Sequence, residues 1–135
     1  MHVDWAIPSR YVDIHGSEAT IVGAGADTYT VTRLPATIHV VLAIRLLGST
    51  DELRDDLPHL ARNRVRDPRG ALIGELGHEF RVQGGVVREG WLTGLIVRTR
   101  LRFQAGEEGT YMLEQEVDGD IKALPIHVVH EPLAA

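Results

Sequence analysis

Apolar and polar positions alternate along this chain with a period of two. In residues 36–47, Ile38, Val40, Leu42, Ile44 and Leu46 fall on one row, and Thr37, His39, Val41, Ala43 and Arg45 on the other. Residues 95–104 repeat the pattern, with Leu95, Val97, Thr99, Leu101 and Phe103 opposite Arg98, Arg100 and Arg102. A helix turns by about 100° per residue and would scatter these sets around its circumference, whereas a strand sends alternate side chains to opposite faces. The same reading predicts strands over 3–14, 19–32, 36–47, 58–67, 71–82, 94–104, 110–118 and 120–130.

The breaks between these segments have local causes. A face switch at Pro8-Ser9 predicts a bend or bulge inside the first strand. Asp67-Pro68-Arg69-Gly70 predicts a β-turn with proline preset at its second position, and Asp118-Gly119 a tight hairpin. Only 49–54, opening with Ser49-Thr50 followed by Asp51 and Glu52, carries helix signals, enough for one or two turns in a crossover. Residues 83–93 form the most loop-like insertion, and the tail after His130 is expected to fray. Short strands at regular spacing, about eight of them, point to a single all-β domain over 1–135, an antiparallel β-sandwich of immunoglobulin-like form. Gly109-Thr110-Tyr111 at the opening of a strand adds to this, because such sandwiches often place there a Tyr whose hydroxyl bonds back to upstream backbone. The alternative is an ordinary strand Tyr with its ring in the core.

Composition narrows the classes. With 44% hydrophobic and 24% charged residues the chain can bury a core, which argues against disorder. Fourteen basic against nineteen acidic residues give a net charge of −5, which argues against a general nucleic-acid partner. The absence of Cys excludes disulfides, thiolate metal sites, thiol nucleophiles and iron–sulfur clusters. The most apolar segment, 36–47, is interrupted by His39 and Arg45 and falls short of the ~20 residues that span a bilayer. The opening Met1-His2-Val3-Asp4-Trp5 lacks the basic and apolar regions of a signal peptide. A cytoplasmic protein without a membrane partner is expected.

Candidate chemistry is sparse. Gly23-Ala24-Gly25-Ala26-Asp27 lacks the third Gly of a dinucleotide fingerprint and runs into the β-rich Thr28-Tyr29-Thr30-Val31-Thr32, so small residues in a closely packed or bulged strand are expected there. His127 and His130, three apart on a strand, point to opposite faces and do not chelate one ion. A two-residue loop at Pro68-Arg69 sets His78 opposite His59, with Val65 opposite Leu72 and Ala61 opposite Leu76; a bulge at Gly70 shifts this register by one and packs less well. A functional His59–His78 pair, a metal site among them, and a single buried His bonded to backbone stay as alternatives. Ser9, Ser17 and Ser49 lie outside any nucleophile elbow, Lys122 adjoins a tight turn, and Glu107-Glu108 lie in a hairpin loop where water keeps carboxyls acidic. Asp13, His15 and Asp27 have room to converge at one end of a sandwich, though nothing in their spacing requires it. Two Arg ladders, 62/64/66 and 98/100/102, read as cross-strand ion pairs rather than phosphate sites, with Glu75 near the first and Glu114 and Glu116 beside the second. No catalytic residue, metal or cofactor is expected, and no enzyme.

The whole chain resembles a family of uncharacterised bacterial proteins of similar length. The resemblance is carried by Val3-Asp4-Trp5-Ala6-Ile7, Ala19-Thr20-Ile21-Val22-Gly23-Ala24-Gly25, Leu34-Pro35, Asp67-Pro68-Arg69-Gly70, and Gly109-Thr110-Tyr111 leading to Val117-Asp118-Gly119 and Pro125. It implies a β-sandwich and transfers no catalytic residue.

These readings make the protein an interaction or assembly module that self-associates into a homo-oligomer. Residues 36–47 and 120–130 are apolar on both rows, and one sandwich core covers only one of them. Val41, Ala43, His127 and Val129 therefore form a candidate interface with Trp91 and Leu92, the latter two serving alternatively as the chain's own cover. The alternative function is a small-ligand or carbohydrate-binding sandwich. At 5% the aromatic content is low for a sugar platform, which ranks this second, and a concave pocket with clustered polar residues would reverse the order.

Overall fold

Strands form where the alternation is cleanest and stop where the backbone must turn. The computed structural model describes residues 1–16, 18–54, 57–82 and 88–134. They build β1 (His2–Ser9), β2 (Tyr11–His15), β3 (Glu18–Val22), β4 (Thr28–Val31), β5 (Ala36–Gly48), β6 (Pro58–Arg66), β7 (Leu72–Arg81), β8 (Thr93–Ala105), β9 (Gly109–Val117) and β10 (Asp120–His130). Ser17 and 83–87 of the loop-like insertion lie outside the described residues. One sheet has the order β1-β5-β8, a second the order β4-β10-β9-β6-β7, and β2 and β3 pair as a separate hairpin. Pairing is antiparallel except for the parallel contact of β4 with β10. The result is the expected all-β sandwich.

Ten strands replace about eight because two long segments divide. The first divides at the anticipated bend, between Ser9 and Tyr11. The second divides at Gly23–Asp27, which is a turn and not a closely packed strand. Gly23 and Gly25 have φ of 69° and 86°, a left-handed conformation that ends pairing, and the Ala26 amide donates to the Gly23 carbonyl at 3.1 Å. The helical segment shrinks to one turn: the Leu53 amide donates to Ser49 O at 3.0 Å, and Ser49 and Glu52 cap each other's amides.

Alternate residues of the two sheets interleave in one core. Val40, Leu42, Ile44 and Leu46 of β5 and Leu101 and Phe103 of β8 meet Tyr111 and Leu113 of β9 and Leu124, Ile126 and Val128 of β10. Tyr111 is buried against Phe103, its hydroxyl donating to Glu107 O at 2.7 Å and accepting from the Glu107 amide at 3.3 Å. The predicted tyrosine corner is therefore formed. At Ala43 the outward row of β5 is covered from within the chain by the β2–β3 hairpin, while Thr37 and His39 of that row stay exposed. Val12 and Ala43 are buried, β2 packs on β5 and β8, and Arg98 Nη1 donates to Val12 O at 3.2 Å. The expectation that this cover must come from Trp91-Leu92 or a second copy is corrected accordingly.

The two edges of the sandwich differ. Along β1 and β10 it is closed, with the Val3 amide donating to Asp120 Oδ2 at 2.8 Å. Along β7 and β8 it gapes. β7 is the outermost strand of its sheet, Leu76 is 60% exposed, and a cavity enters between the layers.

Candidate functional site

Strand parity determines which side chains meet this cavity of about 350 Å³. Ile44 and Leu46 of β5 and Val97 and Thr99 of β8 line it from one sheet. Ala61 and Asn63 of β6 and Gln115 and Val117 of β9 line it from the other. Leu76, His78 and Phe80 of β7 flank its open side. Arg98 and Arg100 also border it, but both belong to the outward row of β8, and Arg98 is turned onto the hairpin carbonyl of Val12. A volume in the range of ligand pockets, with mostly hydrocarbon walls and a few polar groups, is the usual form of a small-molecule site.

Its fully buried polar groups are two amides, with the Thr99 hydroxyl and the His78 imidazole nearer its open side. Asn63 and Gln115 lie directly across from each other in the β6–β9 pairing and are 6% and 2% exposed. Gln115 Oε1 and Nε2 both lack a hydrogen-bond partner among the described residues. A buried amide left unpaired costs about 1–3 kcal/mol, so such groups are rare without a purpose. Sequence reasoning missed both residues. The signal was an amide in each of two otherwise apolar rows, 59/61/63/65 with its His and 111/113/115/117 with its Tyr.

His59, on the same inner row as Asn63, is the opposite case. It is 3% exposed, with Nδ1 at 2.7 Å from Asp118 Oδ2 and Nε2 at 2.6 Å from Glu52 O. Asp118 occupies the predicted hairpin at φ 50°, accepts from the Leu60 amide at 3.0 Å, and lies 3.8 Å from the N-terminal amine, which also pairs with Glu52. Burial pushes the Asp118 carboxyl up. The hydrogen bonds from His59 and Leu60 and the charges of His59 and the terminal amine outweigh that and hold it below the usual aspartate value.

The His59–His78 pairing is corrected. His59 pairs with Phe80, and His78 with Ala61. Asp67 accepts the Arg69 and Ala71 amides on Oδ1 and bonds Ala71 O through its own amide, so the loop is longer than two residues. A further shift between Val65 and Arg66 brings the displacement to two positions, which keeps His78 on the inner face but changes its partner. Both rings flank Phe80, at 5.4 and 6.2 Å.

The remaining candidates disperse. Asp13 and His15 pair at 3.0 Å on β2, while Asp27 bonds Thr28. His127 Nδ1 lies 2.9 Å from Thr110 Oγ1, and the His130 amide donates to Glu108. Glu107 pairs with Arg69 at 3.4 Å. Lys122 is exposed. No group of three or more His, Asp or Glu side chains suited to a metal occurs among the described residues. The six interface residues do not share a surface. Val41 and Ala43 face out from one sheet, His127 and Val129 face out from the other, and the exposed Trp91 and Leu92 precede β8.

The Arg ladders also need correction. Because β9 pairs with β6, Glu114 and Glu116 serve the 62/64/66 ladder and not 98/100/102. Arg64 lies 3.5 Å from Glu116 and 3.4 Å from Glu75, and Arg66 pairs with Glu114. Arg98, Arg100 and Arg102 stand opposite Ala43, Val41 and His39, where there is no acid.

No family model matches the chain, and neither does any curated protein. No helix among the described residues is long and apolar enough to cross a membrane. Fold and site together define a β-sandwich with an amide-floored cavity between its sheets.

Proposed function

We propose that this protein is a small-ligand-binding β-sandwich that holds a neutral, mainly apolar molecule between its sheets. One observation carries the reading: Gln115, buried with both polar atoms unpartnered, lines the cavity. A ligand that bonds this amide recovers the desolvation cost that folding leaves behind. The buried inward groups around it are hydrocarbons and neutral amides, with the Thr99 hydroxyl beside them and the exposed His78 imidazole at the open side. Among the described residues no nucleophile and base are paired there, so binding fits better than catalysis. With Phe80 as the one aromatic ring among the lining residues apart from the His78 imidazole, the walls favour a hydrocarbon body over a sugar. The cysteine-free chain and its negative charge are consistent with a cytoplasmic setting and with a partner other than nucleic acid.

The test is a panel of neutral fragments screened by thermal shift, with hits mapped by methyl NMR. Binders should raise Tm and move the methyl resonances of Ile44, Leu46, Val97 and Val117. A panel without binders, or hits that map elsewhere, would refute the reading. Self-association is a second reading, supported by β7, an edge strand whose Leu72, Ile73 and Leu76 are exposed. Sedimentation at micromolar concentration decides it, with a dimer expected and a strictly monomeric species against it.

A further inference from the structure

We propose that the cavity selects a flat, mostly hydrocarbon molecule bearing a cis-amide edge, an N–H donor beside a C=O acceptor, as found in lactams, pyridones and nucleobases. This inference rests on the ligand-binding reading above and specifies its ligand class.

A primary amide such as that of Gln115 offers one carbonyl acceptor and one NH₂ donor side by side in a plane. Both are buried and unpartnered, and both belong to a residue that lines the cavity. A ligand hydroxyl, ether or ketone that meets only one of them leaves the other with its desolvation cost. A carboxylate offers acceptors alone and sets oxygen against the Gln115 carbonyl. The group that answers both at once presents a donor and an acceptor in mirrored order, the same complementarity by which Gln and Asn side chains read the edge of adenine.

The surroundings reinforce this choice. Asn63, opposite Gln115, is a second buried neutral amide. Of the charged side chains that border the cavity, Arg98 is directed to Val12 O on the outer side of its sheet, Arg100 belongs to the same outward row, and Glu116, on the outward row of β9, pairs with Arg64. An ionised ligand would therefore lose its hydration without gaining a counter-ion inside. Ile44, Leu46 and Val97 from one sheet and Val117 from the other present hydrocarbon across the gap, which suits a ring lying between the layers.

The probe is 2-quinolone, compared with 1-methyl-2-quinolone, which keeps the ring and the carbonyl but replaces the donor by a methyl group. Affinities are measured by methyl NMR titration on the full chain and on Gln115→Leu. The unaltered protein should bind 2-quinolone about 10-fold more tightly than the methylated probe, the ratio that one hydrogen bond supplies. In Gln115→Leu that preference should fall to within about 2-fold, by loss of the donor–acceptor match. Equal binding of both probes by the unaltered protein, with shifts in Ile44, Leu46 and Val97, would overturn the edge selectivity and leave the cavity as a general apolar site. Binding of neither probe, without methyl shifts, would overturn the ligand class, and the neutral-fragment panel then decides separately whether the cavity binds at all. The two probes test the edge on the unaltered protein, so the result does not depend on how well the variant folds.

Discussion

His59 and Gln115 are two buried polar side chains on the inner face of one sheet, on neighbouring strands, and they are treated in opposite ways. His59 has an oxygen within 2.7 Å of each ring nitrogen, from Asp118 and Glu52, at the base of the β9–β10 hairpin. Gln115 has no partner for either polar atom and lies beside the cavity. The first arrangement ties the turn after β5 and the start of β6, seven residues apart, to the hairpin after β9, 59 residues further on. The second contributes nothing to stability through its amide. A buried polar group that is fully bonded serves the fold, and one left unbonded at a cavity is available to a ligand.

The contrast breaks most visibly at His59. Replacing His59 by Ala removes two hydrogen bonds, leaves the Glu52 carbonyl without its histidine partner and opens a cavity under Phe80, and should cost about 2–4 kcal/mol in urea unfolding. A loss below about 1 kcal/mol would mean that the histidine is not an anchor. Acid attacks the same contact from the other partner. Asp118 is held below its ordinary value in the folded state, whereas the unfolded chain takes up that proton near pH ~3.9. The unfolded state therefore binds more protons in the interval between. The stabilisation is complete above the ordinary value and is lost as pH falls through the lowered one. Asp118→Asn should be the less stable protein near neutrality and should lack this part of the acid limb; parallel stability profiles for the two proteins would contradict the assignment.

Tyr111 is an intermediate case, a buried hydroxyl with a single upstream backbone anchor. Tyr111→Phe should cost about 0.5–1.5 kcal/mol, read from the denaturation midpoint, and an unchanged midpoint would show that the corner adds nothing to stability. Gln115→Leu sharpens the comparison by its sign. It should leave stability unchanged or raise it by up to about 1 kcal/mol, because it deletes an unpaired amide from an apolar wall. A loss above about 2 kcal/mol would show that the amide is bonded within the protein. The smallest effect separates the two Arg ladders. Arg64→Ala, which gives up contacts with Glu75 and Glu116, should lower the denaturation midpoint measurably at low salt and less at high salt. Arg100→Ala should stay within about 0.5 kcal/mol at either salt concentration. Equal costs would mean that the acidic neighbours contribute nothing.

The sequence by itself determined what is local. Period-two rows assigned inner and outer faces for β5, β8, β9 and β10. Asp118-Gly119 specified its hairpin, and Gly109-Thr110-Tyr111 its corner. Ser49 and Glu52 specified the single capped turn. Each follows from side chains within a few residues of one another, where backbone geometry leaves few options. Tertiary structure alone decided which strands became neighbours. The partner of β9 is β6, which gave Glu114 and Glu116 to the other Arg ladder and set Asn63 against Gln115. The β2–β3 hairpin packs on β5 and β8, where Ala43 of the outward row is buried. Two single-residue shifts in the β6–β7 hairpin replaced His59–His78 by His59–Phe80. Alternation states which face a residue occupies but is unchanged by a slip of two positions or by exchange of one apolar neighbour for another. Pairing between strands distant in sequence depends on how whole faces pack together, and so the cavity with its unpaired amide exists only in the assembled fold.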